Sequence, residues 1–127
     1  MKLDFQVGTS KKAHKILQSL DSNKSKNPKA PFNGMNDAYL FALILGLSVG
    51  KKTKVTNATT YANFSSIERD YDIAILLTNL GEESDMESRD SARIAIQEYA
   101  TWGLLKMDDH KIGDDYRFGD MLESLLG

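Results

Sequence analysis

The amino-acid sequence predicts a single, mainly α-helical domain of about five helices around a buried central helix, with at most a short N-terminal strand. Three observations predict this fold class. Apolar residues recur at helical spacing in several segments, two Ser-x-x-Glu sequences match the helix capping box, and the run from Ala38 to Leu47 is apolar on every side. The 127 residues, 41% hydrophobic and 27% charged, suit one globular core spanning residues 1–127.

The first twenty residues predict a strand followed by an amphipathic helix. Leu3, Phe5 and Val7 alternate with polar residues, which is the period of a half-buried strand, and Gly8 ends it. From Ser10, a plausible N-cap, the spacing becomes helical. The apolar positions of this helix are Ala13, Ile16, Leu17 and Leu20.

The middle of the chain predicts a loop and then the central helix. Residues 22–34 hold both prolines and few apolar side chains, so we expect a loop there that is longer than most connections. Asn36 is placed to cap the helix that follows, and Gly50 with Lys51, Lys52 and Lys54 closes it. Because the 38–47 run has no polar face, we expect this helix to be buried all round.

The two capping boxes, Ser65 to Glu68 and Ser84 to Glu87, predict two further helix starts. We expect the first helix to bury Ile67, Tyr71, Ala74, Leu77 and Leu80 and to stop at Gly81. We expect the second to bury Ala92, Ala95, Ile96 and Tyr99, with Gly103 as its left-handed C-cap residue. A polar turn from Asp108 to Asp115 precedes a last helix that carries Phe118, Met121, Leu122 and Leu125.

Charge is sorted along the chain. Residues 1–54 carry ten lysines and no arginine against three acids, a net charge of +7, whereas residues 55–127 carry six basic groups against fifteen acids, a net charge of −9. Such asymmetry favours a polyanionic partner for one face, an oppositely charged protein, or self-association. We expect a homo-oligomer slightly more than a monomer.

Nine of the lysines form the candidate nucleic-acid-binding set. Lysine neutralises phosphates as a point charge without reading bases, so the expected contact is with the DNA backbone and has low sequence specificity. The alternative is a solvated surface that only aids solubility. The candidate residues are Lys11, Lys12, Lys15, Lys24, Lys26, Lys29, Lys51, Lys52 and Lys54.

The sequence contains little that predicts catalysis, a metal or a cofactor. It has no cysteine, and neither His14 nor His110 lies in a nucleophile or metal motif. The Asp108–Asp115 turn concentrates carboxylates without calcium-loop spacing, so we expect a solvated turn whose second Asp pair caps the last helix. The segment after Gly8 lacks the second glycine of a phosphate-binding P-loop. We therefore expect no enzyme activity, no metal and no cofactor.

Two stretches resemble a known family. The stretch from Ile96 to Met107 is similar to one that contains a Glu-Glu-Tyr-Ala-x-Gly-Gly-Leu pattern, with Trp102 in place of a glycine. The stretch from Phe32 to Gly46 resembles a Phe-x4-Asp-x-h-x-Phe-Ala-Ala-x-Leu-Gly pattern. Both patterns belong to small bacterial Dnd system-associated proteins, which occur with the machinery that writes DNA phosphorothioate and with genes that restrict unmodified DNA. The resemblance covers residues 10–126 and brings no catalytic residues with it.

The resemblance implies an accessory role in anti-phage DNA modification and restriction, with proteins of the same defence system as partners. The alternative is a protein–protein interaction module that does not touch nucleic acid. The lack of cysteine, of a signal-peptide pattern and of a long apolar run leads us to expect a cytoplasmic protein without membrane contact.

Overall fold

The computed structural model describes residues 5–68, 89–112 and 115–126 and is mainly α-helical. These described residues form six helices and four short strands. The first strand, β1 (Gln6–Thr9), leads into α1 (Lys11–Leu20), α2 (Ser22–Ser25) and α3 (Met35–Val49). The chain continues through β2 (Thr59–Asn63), α4 (Phe64–Glu68), α5 (Arg89–Asp109), β3 (Lys111–Ile112), β4 (Asp115–Tyr116) and α6 (Phe118–Leu126).

The core lies between α3 and α5, which approach closely because each contributes a glycine at the contact. A Cβ atom on Gly103 would overlap the carbonyl oxygen of Ala42, and a Cβ atom on Gly46 would overlap that of Tyr99. Gly103 was expected to end its helix, but it lies in the interior of α5. The prediction was wrong because a helical glycine also permits close packing of a neighbouring backbone.

The central helix α3 is buried on most of its surface. Ala38, Tyr39, Ala42 and Leu43 are fully buried, and Gly50 ends the helix with a left-handed φ of 76°. The helix is not buried all round, however, since one stripe of residues is exposed or half-buried. This stripe comprises Asp37, Phe41, Ile44 and Ser48.

The start of α3 differs from the expectation. The helix begins at Met35 with Gly34 as its cap residue, so Asn36 lies inside the first turn. The side chain of Asn36 instead accepts a hydrogen bond from the Tyr61 hydroxyl and donates one to the Ser66 carbonyl at 3.4 Å. Asn36 therefore links α3 to β2 and α4 and does not cap its own helix.

The first helix follows the sequence prediction closely. Ser10 caps α1, and its hydroxyl accepts a hydrogen bond from the Ala13 N–H at 3.2 Å. All four predicted apolar positions of α1 are buried. The predicted loop 22–34, by contrast, contains the short helix α2, because the buried Asp21 side chain accepts a hydrogen bond from the Asn23 N–H at 2.9 Å.

The described residues contain two small antiparallel sheets, of which the sequence predicted only the N-terminal strand. In the first sheet, Gln6 of β1 pairs with Asn63 of β2 and Thr9 pairs with Thr59, with an irregularity between Val7 and Gly8. Gly8 is required there because a Cβ atom would overlap the Thr59 carbonyl oxygen. The second sheet is the β3–β4 hairpin, in which Lys111 pairs with Tyr116.

The capping boxes and the C-terminal turn are only partly covered by the described residues. Helix α4 begins at Phe64, one residue before the predicted cap Ser65. Asn63 caps this helix, since its side-chain oxygen accepts a hydrogen bond from the Ser65 N–H at 3.1 Å. Ile67 is buried as expected. The Ser84 box, Gly81 and the apolar positions 71–80 lie outside the described residues.

Helix α5 buries Ala92, Ala95, Ile96 and Tyr99 as predicted, and Met121 of α6 is fully buried. Asp115 was expected to help cap the last helix, but it lies in β4 and pairs with Arg117 Nε at 2.8 Å. Asp114, the other member of that pair, lies outside the described residues.

The close helix contact leads to a stability prediction. Gly103→Ala should lower the free energy of unfolding by about 1 to 3 kcal/mol, because its Cβ atom forces α3 and α5 apart. Chemical denaturation followed by circular dichroism measures this change. The matched control is Gly119→Ala in α6, where a Cβ atom meets nothing within 4 Å and stability should stay equal or rise slightly. Equal destabilisation by both substitutions would contradict the proposed contact.

Candidate nucleic-acid interface

Three candidate lysines lie on α1, a helix whose first turn is fixed to the body of the protein. Lys11, Lys12 and Lys15 are exposed, while the opposite face of the helix is buried in the core. The Ser10 N–H donates a hydrogen bond to the buried Thr101 hydroxyl of α5 at 3.4 Å. The backbone that carries Lys11 and Lys12 is therefore held in place by α5.

Three further lysines follow α3 in a segment that contacts the same turn of α5; they are Lys51, Lys52 and Lys54. The Thr53 N–H donates a hydrogen bond to the Glu98 carbonyl at 3.1 Å, and Lys52 Nζ lies 5.6 Å from the centre of the Tyr99 ring. Because Ser10 and Thr53 contact α5 at positions only three residues apart, their lysines belong to the same end of the molecule. We call these six residues the proximal basic group: Lys11, Lys12, Lys15, Lys51, Lys52 and Lys54.

The remaining candidates, Lys24, Lys26 and Lys29, lie beyond the other end of α1 and form what we call the distal basic group. They are exposed in α2 and in the loop that returns to Phe32. The Phe32 N–H donates to the Leu20 carbonyl at 3.1 Å, which holds this loop at the C-terminal end of α1. Along the helix axis, Lys11 at the start of α1 lies about 15 Å from the helix end that holds this loop, with Lys15 midway. The nine lysines therefore fall into two groups, one towards each end of α1.

Most of the candidate lysines have no ion-pair partner among the described residues. Apart from Lys52, no candidate lysine forms an ion pair within the described parts of the chain, and the ion pairs described there lie at Arg93 and Arg117. Asp21 sits near the distal group, but it is buried and engaged in capping α2. Within the described residues, eight of the nine candidate lysines thus keep their positive charge without an ion-pair partner.

A buried polar network beneath the proximal group was not found from the sequence. The Gln97 side chain of α5 accepts the Gly8 N–H at 2.9 Å, and the Tyr39 hydroxyl of α3 donates to the Gly8 carbonyl at 2.9 Å. Gln97 and Thr101 are polar residues on a buried helix face, spaced four apart, and this spacing is the signal that could have identified them. Together with Tyr39 they fix β1 and the start of α1.

The two histidines have different surroundings, and the contact described for each of them is with a group other than a carboxylate. His14 on α1 has Nε2 3.4 Å from Gln18 Nε2, and its buried Nδ1 has no hydrogen-bond partner within the described residues. His110 follows α5, and its Nδ1 lies 3.1 Å from the Lys106 carbonyl oxygen. The expected lack of enzyme activity stays a prediction.

The described part of the chain shows neither a cluster of metal ligands nor a helix that could span a membrane. Among those residues, no group of three or more histidine, cysteine or acidic side chains is arranged to hold an ion. Within the same residues, no helix combines the length and apolar character needed to cross a bilayer.

Comparison with known proteins adds no relative. No protein-family model, curated protein or solved structure matches this chain.

The hydroxyl that holds Gly8 leads to a pH prediction. Burial, with a smaller effect of Tyr61, raises the pKa of Tyr39 well above its usual value of about 10. Tyr39 loses its hydroxyl proton at a lower pH in the unfolded chain than in the folded one. Its contribution to the free energy of unfolding is therefore fully present below about pH 10 and declines at higher pH by up to about 1.4 kcal/mol per pH unit.

The measurement is denaturation at pH 8 and pH 11 for the wild type and Tyr39→Phe. The variant should be about 1 kcal/mol less stable at pH 8, because the hydrogen bond to Gly8 is lost. Its free energy of unfolding should also fall less than that of the wild type between the two pH values. Equal declines for the two proteins would show that Tyr39 ionises normally in the folded state.

Proposed function

We propose that this chain is a non-catalytic accessory protein of a bacterial DNA modification and restriction system. In this role it contacts the DNA backbone through the proximal basic group and partner proteins of the same system through its other surfaces. The observation that carries the nucleic-acid part is the placement of two lysine-bearing segments on one turn of α5.

The chemistry of the proximal group suits phosphates rather than bases. Its six charged groups are all lysines, which bind phosphate oxygens as point charges and release condensed counterions. Arginine, the residue that most often reads guanine, is absent from residues 1–54. We therefore expect backbone contact with little sequence preference.

The local structure favours this binding in two ways. The N–H groups at the start of α1 place the positive end of the helix dipole beside Lys11 and Lys12, which adds modestly to the attraction of an anion. Hydrogen bonds to Gln97 and Thr101 also hold β1 and α1 in position before binding. Less ordering of the protein backbone is then needed on association.

The acidic part of the chain supports the partner-protein half of the proposal. Residues 55–127 carry a net charge of −9, which repels DNA and suits a basic partner surface. The resemblance of residues 10–126 to Dnd system-associated proteins is what supports a system of this kind. It does not bear on the contact with DNA.

The second candidate is a protein-interaction module without nucleic-acid contact, in which the lysines only steer association. One structural observation favours it. A partly open cavity of about 330 Å³ adjoins α3 and is lined mainly by apolar side chains. The lining residues are Phe32, Asp37, Leu40, Phe41 and Ile44.

Binding to DNA of arbitrary sequence across a salt series separates the two candidates. If about three to five phosphates are contacted, the logarithm of the binding constant for duplex DNA should fall with log salt at a slope of roughly −0.9 per contact. The combined variant Lys11→Glu, Lys12→Glu and Lys15→Glu should abolish binding, whereas replacing the same three lysines by arginine should retain it.

The matched control reverses the distal group with Lys24→Glu, Lys26→Glu and Lys29→Glu. It makes the same change in net charge at the other end of α1, so binding should weaken only through the long-range field. Equal loss in both triple variants would contradict a proximal site. Absence of wild-type binding to any nucleic acid at low salt would favour the protein-interaction module.

A further inference from the structure

Trp102, the single tryptophan of the chain, lies on α5 beside the proximal basic group. The residue before it, Thr101, holds Ser10, and Glu98, one turn earlier on α5, holds Thr53. Unlike the buried side chains of this helix, the indole is only partly buried. A half-buried aromatic side chain therefore lies on the same stretch of α5 that contacts both lysine-bearing segments.

Two lysine side chains lie over aromatic rings of α5, one from the segment after α3 and one from α5 itself. Lys106 Nζ lies 5.9 Å from the centre of the Trp102 ring, and Lys52 Nζ lies 5.6 Å from the Tyr99 ring, three residues earlier on the same helix. Tyr99 is 2% exposed and belongs to the core, so Trp102 is the aromatic side chain of this pair that a ligand can reach.

An accessible aromatic ring near a group of lysines suits one kind of nucleic acid better than the others. Single strands present the flat faces of their bases, which stack on Trp, while lysines neutralise the adjacent phosphates. In a duplex the base faces are covered by their neighbours, so an indole at the protein surface adds nothing to backbone contacts.

We propose that the proximal basic group binds single-stranded nucleic acid, with a base stacked on Trp102 and the flanking phosphates on the surrounding lysines. This inference rests on the proposed function, since it assigns the class of nucleic acid to the same site. Trp102 supplies affinity that depends on stacking, and the lysines supply affinity that depends on salt.

The single tryptophan makes this proposal directly measurable. Titration with a thymidine oligonucleotide of about ten nucleotides should quench the emission of Trp102 in step with binding measured by anisotropy of a labelled strand. A fully paired duplex of the same length should bind more weakly and leave the emission nearly unchanged.

Two substitutions separate stacking from charge. Trp102→Leu keeps an apolar side chain on α5 and should weaken single-strand binding by roughly 5- to 150-fold, with the slope of log affinity against log salt unchanged. Trp102→Phe keeps an aromatic ring and should retain most of the affinity. Thermal unfolding of both variants checks that the fold is intact.

Tyr116 offers a matched control. It is also half-buried, with Lys111 Nζ 5.0 Å from its ring centre, but its hydroxyl donates to the Ser19 carbonyl near the distal end of α1. Tyr116→Leu should leave single-strand affinity unchanged if stacking occurs at Trp102. A loss equal to that of Trp102→Leu would overturn the assignment.

The possible outcomes distinguish this inference from the function on which it rests. If single strands and duplexes bind equally and Trp102→Leu weakens neither, DNA contact stands and stacking on Trp102 is overturned. If Trp102→Leu instead changes the slope of log affinity against log salt and leaves the salt-independent part of the affinity as it was, its effect is ionic. The inference then also fails. If neither nucleic acid binds at low salt, the proposed function itself fails.

Discussion

The close contact between α3 and α5 is the constraint on which the rest of the structure depends. Gly46 and Gly103 face the backbone of the opposite helix at Tyr99 and Ala42, and neither position has room for a Cβ atom. Close packing of the two helices goes with full burial of both small and large side chains on them, among them Ala42, Leu43 and Ile96. A wider separation would leave voids along the longest helix described.

The position of α5 in turn determines the candidate site. On one side Gln97 and Thr101 hold Gly8 and Ser10, and at the same turn the Glu98 carbonyl holds Thr53. The lysines of α1 and those after α3 are far apart in sequence, yet one turn of α5 gathers both segments. Trp102 is part of that turn, so the proposed stacking surface and the proposed phosphate contacts share a single rigid support.

The sequence predicted features that depend on local periodicity and failed where a residue serves a distant partner. Ser10, the buried face of α1 and the apolar stripe of α5 followed from spacing and capping alone. Gly103 was misassigned because a glycine at a helix end and one at a helix crossing look alike in sequence. Asn36, Gln97 and the β1–β2 pairing involve contacts between residues 25 to 89 positions apart, which no local pattern encodes. The lysines were identified, but their division into two groups required the fold.

Native-state hydrogen exchange read by mass spectrometry tests most directly whether the α3–α5 contact organises this protein. The account predicts that amides of α3 around Gly46 and of α5 around Gly103 exchange slowest and at a common rate, because they are released only when the two helices separate. It also predicts that Gly103→Ala accelerates exchange in both helices together. Rapid exchange of α5 while α3 stays protected, in either protein, would contradict the claim.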